Sequence, residues 1–138
     1  MSKISDKDLI REAIEARENA YTPYSHFCVG AALLSKDGRV FRGCNIENAG
    51  YTPSNCAERT AFFKAVSEGV REFEKIAIVA GPKDGQLITT APCGVCRQVM
   101  MEFCEPDFSI LLAKSPEEYE EWTLERLLPF GFGPKDLA

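Results

Sequence analysis

Residues 75–80 read KIAIVA and residues 108–113 read FSILLA. Both are short apolar runs dominated by Ile, Val, Leu and Ala, as expected for strands buried inside a sheet. Between them, after a loop over 81–91, Pro92 stands just ahead of a helical segment spanning 93–103. Toward the N-terminus, Ser54-Asn55 can cap a helix over 56–68 that Gly69 stops. Before that, an apolar run over 27–34, a turn at Lys36-Asp37-Gly38 and an extended run over 40–45 form a two-stranded hairpin. Ser5 with Asp8 marks the start of a first helix. Leu9, Ile10, Ala13, Ile14 and Ala16 recur at helical spacing to about Ala20, where Tyr21-Thr22-Pro23-Tyr24 breaks it. Residues 119–124 read as a charged fifth strand, and 124–128 as a helical turn before a Gly/Pro-rich tail. Helices interleaved with apolar strands predict an α/β fold: a three-layer α/β/α sandwich with a mixed, about five-stranded central sheet, residues 1–138 forming one domain.

Composition agrees with one globular unit and narrows the partners. The chain has 138 residues, 45% of them hydrophobic and 27% charged, enough apolar material for a core. Sixteen Lys and Arg against 21 Asp and Glu give a net charge of −5. No Lys/Arg-rich run supplies the phosphate neutralisation on which polynucleotide binding depends, so no polynucleotide partner is expected. The first twenty residues are charged throughout, unlike an export signal, and no apolar stretch approaches the roughly 20 residues of a membrane span. We therefore expect a soluble, cytoplasmic protein without a membrane partner. In that reducing compartment the six cysteines point to metal ligation or thiol chemistry rather than a disulfide framework.

Two local patterns carry the chemistry: Cys56-Ala57-Glu58 and, beginning 36 residues beyond Cys56, Pro92-Cys93-Gly94-Val95-Cys96. Zinc takes about four tetrahedral ligands, and a catalytic site keeps one position for water. Cys56, Cys93 and Cys96 supply three thiolates and leave the fourth position open. Cys93 and Cys96, three apart on a helix, share a face. Cys56 and Glu58 would diverge in mid-helix, whereas at a helix start both can lean past the end of the axis. Two helix N-termini would then face the metal and favour thiolate over thiol. Three thiolates and one zinc ion leave a net −1, which weakens the Lewis acid unless a cation offsets it. Arg59 is the nearest candidate to compensate a ligating thiolate, with Arg97 second.

The residues alone leave three readings open. The site is a catalytic metal centre, a structural zinc site or a redox-active C-x-x-C pair; the third cysteine and the nearby glutamate favour the first. Alone, Glu58 would pass for an ordinary acid in a first helical turn. Cys104, beyond the second helix of the pair, is poorly placed as a fourth ligand, and Cys28, Cys44 and Cys104 read as small buried hydrophobes. His26 reads as a surface or loop residue.

The paired motifs resemble those of the zinc-dependent nucleoside deaminases. The likeness covers nearly the whole chain. It takes in Tyr24-Ser25 before Phe27-Cys28-Val29-Gly30-Ala31-Ala32, and Gly43-Cys44-Asn45-Ile46-Glu47-Asn48-Ala49. It continues through Cys56-Ala57-Glu58-Arg59 and Pro92-Cys93-Gly94-Val95-Cys96-Arg97-Gln98 to Leu127-Leu128-Pro129 with Phe132. Together these segments resemble the small, homotetrameric cytidine deaminases. The resemblance implies one zinc ion per chain and hydrolysis of cytidine and deoxycytidine at C4, releasing ammonia, a reaction of pyrimidine salvage. It implies that Glu58 takes the proton of the attacking water, delivers it to N3 and later serves the departing amine. It further implies that Asn45 and Glu47 bind the ribose hydroxyls and that Phe27 packs on the pyrimidine. Phe132 would do the same from a neighbouring subunit, Tyr51 would approach the 5′-hydroxyl across subunits, and the Ala57 backbone would contact the base. Without the resemblance, Phe27 would be core, and Asn45 and Glu47 would be turn residues. A carboxylate at the sugar repels phosphate, so the expected substrate is a nucleoside rather than a nucleotide. Blasticidin S deaminase shares both metal motifs and is the nearest alternative; a non-catalytic zinc-binding module is the other.

Overall fold

The computed structural model describes residues 3–138 and places a five-stranded mixed sheet between two helical layers. The strands are β1 (Phe27–Ser35), β2 (Val40–Cys44), β3 (Phe73–Pro82), β4 (Ser109–Ser115) and β5 (Glu118–Thr123), in the order β2-β1-β3-β4-β5. The helices are α1 (Asp6–Arg17), α2 (Ala57–Ser67), α3 (Gly94–Phe103) and the short α4 (Leu124–Leu127), with a 3₁₀ turn at Pro134–Asp136. The α/β/α sandwich expected from the sequence is the architecture found.

The period of two in the apolar strands builds the layers. Ala32 and Leu34 of β1, Ala77 and Val79 of β3, and Leu111 and Ala113 of β4 face Leu9, Ile10 and Ala13 of α1. Their alternates Ala31, Leu33, Ile76, Ile78, Ile110 and Leu112 face α2, α3 and α4. Strands covered on both faces read as near-continuous apolar runs, which is why the 75–80 and 108–113 segments show no alternation. On the second face Phe62 of α2 is fully buried, its ring 5.0 Å from Phe73 and 6.4 Å from Phe103 of α3. A side chain buried so completely contributes about 1.5–3 kcal/mol, and here it locks α2 against α3.

Strand directions bring the two site motifs together. β1 is antiparallel to β2 and β3, and β3 is parallel to β4, so β2, β3 and β4 point the same way. α2 follows β2 and α3 follows β3, so both helices begin at the same edge of the sheet, where α/β folds place their ligands. Close packing holds α2 there: a Cβ at Gly43 of β2 would lie 2.3 Å from the Ala57 carbonyl oxygen. Only glycine lets the first turn of α2 sit so near the sheet.

Several element ends differ from expectation. Cys56, not Ser54 or Asn55, is the N-cap of α2, with extended φ −78° and ψ 156°. Ser54 Oγ instead accepts from the Asn48 amide at 3.0 Å, and Asn55 pairs its backbone with Ile46. α1 stops at Arg17 rather than running to Ala20, because the Tyr21 amide donates to the Asn45 carbonyl and Tyr21 bridges Ile46. The Ser5 cap forms as expected, Oγ accepting from the Asp8 amide at 3.1 Å. Cys44 and Cys104 are half-buried, and only Cys28 of the three is fully buried. None of the described helices is long and apolar enough to cross a membrane.

Candidate metal centre and nucleoside pocket

Cys56 and Cys93 are the N-cap residues of α2 and α3, and neither side chain caps its own helix. The sulfurs turn toward each other instead. Cys56 Sγ lies 3.7 Å from Cys93 Sγ, Cys93 Sγ lies 3.4 Å from Cys96 Sγ, and all three fall within 4.8 Å. Tetrahedral thiolates at about 2.3 Å from zinc stand about 3.8 Å apart, close to the 3.7 and 3.4 Å separations here, so the donor set suits the ion. Cys93 is exposed and Cys96 buried, giving the cluster one wall in protein and one toward solvent.

The surroundings favour negative sulfur. Two helix N-termini direct their positive ends at the cluster. Arg59, at the third position of α2, donates from Nη2 to Cys56 Sγ at 3.4 Å. Its Nε is buried without a hydrogen-bond partner, so the guanidinium depends on the sulfurs for its charge balance. Hydrogen bonds from Cys96 and Arg59 hold the Cys56 thiol down to about 5. Cys96 is pushed upward by its hydrogen bond to Cys56 and by burial. Arg97 lies elsewhere in its bonding: Nε donates to the Pro92 carbonyl at 2.7 Å and Nη1 to the Leu127 carbonyl at 2.5 Å. It ties α3 to α4.

Glu58 follows Cys56 by two residues, in the first turn of α2, and is only 4% exposed. Burial pushes its carboxyl up to about 7. Together with Cys56, Cys93 and Arg59 it lines a cavity of about 390 Å³, a size suited to a small organic ligand. Phe27, Asn45 and Glu47 line the same cavity. Asn45 is held by strand β1, its Oδ1 accepting from the Val29 amide at 2.9 Å and its Nδ2 donating to the Phe27 carbonyl at 2.8 Å. Glu47 receives the Tyr24 and Ser25 amides at 3.0 and 3.1 Å and the Ser25 hydroxyl.

Three of the sequence-derived contact residues lie off this lining. Ala57 is buried between Cys56 and Glu58, with its side chain in the core. Tyr51, at φ +61° and 76% exposed, meets Tyr24 edge-on outside the cavity. Phe132 is 59% exposed, its carbonyl accepting from Gln98 Nε2 at 2.8 Å. Conversely, Ser25, Asn55 and Thr90 line the cavity though the sequence marked none of them as a ligand-contacting residue. Short polar residues in loops carry no periodic signal. Only Ser25, inside the Tyr24-Ser25 segment already tied to the family, had a clue attached.

The model of the cytidine and deoxycytidylate deaminase zinc-binding region matches residues 3–112. The chain belongs to the cytidine and deoxycytidylate deaminase family. Among its relatives in that family, a cytidine deaminase from Sporosarcina psychrophila is 52% identical over 130 residues, 94% of this chain and 93% of the relative. One from Halalkalibacterium halodurans is 54% identical over 129 residues, covering 94% and 95%. The crystal structure of cytidine deaminase from Burkholderia pseudomallei superposes with a TM-score of 0.84 at 46% identity, covering 94% of this chain and all of that one. A blasticidin-S deaminase from Bacillus cereus is more distant, at 30% over 131 residues, 92% of this chain and 91% of that protein. In this deaminase family fold the three-cysteine cluster is a zinc site.

Proposed function

We propose that this chain hydrolyses cytidine and deoxycytidine at C4 to the uridine nucleosides and ammonia, with Glu58 as the proton shuttle. The observation that carries the reading is the buried carboxyl of Glu58 opening, beside the Cys56–Cys93–Cys96 cluster, into one nucleoside-sized cavity. Zinc held by the three thiolates supplies a Lewis acid that makes water acidic enough to lose a proton near neutral pH. Glu58 takes that proton on its carboxylate and passes it to N3 of the pyrimidine as the water oxygen bonds to C4. It then carries the proton of the new C4 hydroxyl to the amine, which leaves as ammonia when the C4–N bond breaks and the C4 carbonyl forms. It can do both because the cysteines fill the ligand role and leave the carboxylate free. Arg59 offsets the thiolate charge, and Phe27 presents an aromatic face to the ring.

Asn45 and Glu47 take the ribose hydroxyls, and the Ala57 backbone takes the base. Among the described residues the only cation lining the cavity is Arg59, already committed to Cys56, while Glu47 and Glu58 are both acidic. A 5′-phosphate entering there would find no counter-charge, which favours nucleosides over nucleotides. The same acidity, with the net −5 of the chain, disfavours a polynucleotide. Residues 1–138 act as one domain, four copies assemble, and Tyr51 and Phe132 complete a neighbour's site. Their exposure here accords with that role. On this reading the protein serves pyrimidine salvage in the cytoplasm. Glu47 and the Leu127-Leu128-Pro129 segment with Phe132 favour plain nucleosides over blasticidin S.

The test is the loss of cytidine's ultraviolet absorbance on adding purified protein, repeated after chelation and with blasticidin S. Turnover of cytidine that stops on chelation and returns with zinc supports the reading. No ammonia from any cytosine nucleoside, or faster turnover of blasticidin S, overturns it.

A further inference from the structure

Glu47 is held by an unusually complete set of donors for a side chain at a cavity wall. The chain beyond β2 is pinned on both sides, the Glu47 amide donating to the Tyr21 carbonyl at 2.9 Å and Ile46 exchanging backbone bonds with Asn55. The carboxylate then closes onto the 24–25 loop. Its Oε1 accepts both the Tyr24 amide at 3.0 Å and the Ser25 amide at 3.1 Å, and its Oε2 accepts the Ser25 hydroxyl. An ionised carboxylate offers about four acceptor positions. Three are taken, and the remaining one lies on Oε2.

The direction of the Ser25 hydroxyl is fixed as well. Its Oγ accepts from the Phe27 amide at 3.0 Å, and a backbone amide can only donate. The single hydroxyl hydrogen is therefore committed to Glu47. A one-way chain runs from the Phe27 amide through Ser25 to Glu47 Oε2, joining the residue under the base to the residue at the sugar. The loop carrying Ser25 is itself anchored, His26 donating to the Thr22 carbonyl at 3.0 Å and accepting from the Lys83 amide at 2.8 Å.

We propose that Ser25 is a positioning residue for the sugar subsite: its hydroxyl orients Glu47 so that the one free acceptor on Oε2 meets a ribose hydroxyl without reorganisation. The inference rests on the reading of Glu47 as a sugar ligand. Ser25 acts through Glu47, and its effect appears only when the substrate has a hydroxyl for Glu47 to bind. A preorganised acceptor matters because ordering a side chain on binding would consume part of the affinity.

The experiment compares kcat/KM for cytidine and for 2′,3′-dideoxycytidine in the wild type, S25A, S25T and E47Q, with zinc content per chain as the control for folding. For S25A we expect a loss of roughly ten-fold on cytidine, the scale of one hydrogen bond to a charged group, carried mainly by KM. The loss on the dideoxynucleoside is several-fold smaller, and S25T, which restores a hydroxyl, recovers most of the difference. If S25A loses equally on both substrates, or loses nothing on cytidine, while E47Q narrows the gap between them, Ser25 is not a positioning residue and Glu47 still is a sugar ligand. If E47Q leaves the gap intact, the sugar role of Glu47 itself fails, and the proposal goes with it.

Discussion

At the scale of single residues, the site separates charge from proton traffic. On the proposed reading three cysteines and Arg59 settle the static charge, and Glu58 is left as a buried acid raised to about 7, near the pH at which an acid–base group is most effective. Its amide analogue keeps the shape and leaves the sulfurs untouched but can neither accept nor release the proton. Glu58→Gln should therefore retain zinc at about one per chain, measured by metal analysis, while turnover falls by about 10²–10⁴. Normal turnover in that variant would remove Glu58 from the proton path. Arg59→Ala asks a different question. With the guanidinium gone, Cys56 loses its 3.4 Å donor, and the cavity loses the one cation that lines it among the described residues. Activity or zinc affinity should drop roughly ten- to a hundred-fold, the usual effect of removing a partner of a metal ligand. A chelator competition alongside the rate assay measures both, and an unchanged pair of values would reduce Arg59 to packing.

At the scale of elements, the site exists because two helices start at one sheet edge, and Gly43 decides how closely the first of them approaches. Gly43→Ala sets a Cβ 2.3 Å from the Ala57 carbonyl and 2.6 Å from the Ala61 amide nitrogen, both of them backbone atoms that cannot rotate away. The variant should lose about 1–3 kcal/mol in denaturant unfolding. It should also bind zinc more weakly, because the strain falls on the turn carrying Cys56 and Glu58; full stability would mean that α2 can shift freely. The sequence made these elements visible where burial imposes a pattern, as in the apolar runs of β3 and β4. β5 was harder to read, since EYEEWT pairs along one side only and leaves most of its residues in solvent. Helix ends were less visible still. The α2 cap fell to Cys56 and the α1 end to a backbone pairing between Tyr21 and Asn45, both set by tertiary contacts that local propensity does not encode. The ligand cluster was legible because thiolates at fixed spacing admit few explanations. The polar cavity wall was not, because Asn55 and Thr90 meet Glu58 only through the fold.

At the scale of the molecule, the exposed aromatics set the terms. Phe130, in the left-handed region at φ +53°, and Phe132 both stand out from the C-terminal tail, and Tyr24 and Tyr51 form a pair open to solvent. Large apolar side chains left this exposed suit an interface between copies of the chain. If Phe132 completes a neighbour's pocket, as proposed above, two differently damaged chains can repair each other. A Phe132→Ala chain keeps its cysteines and Glu58 but should bind cytidine with KM raised roughly ten-fold, within the range for losing one aromatic stack on a base. A Glu58→Gln chain is nearly inactive but still carries Phe132. Co-expressed, the two would form assemblies in which some sites combine a sound Glu58 from one chain with a sound Phe132 from another. Turnover at low cytidine should then exceed the sum of the separately expressed variants at equal total chain concentration. Additive rates from assemblies shown by mass spectrometry to be mixed would mean that each chain builds its pocket alone, with Phe132 serving only to hold copies together.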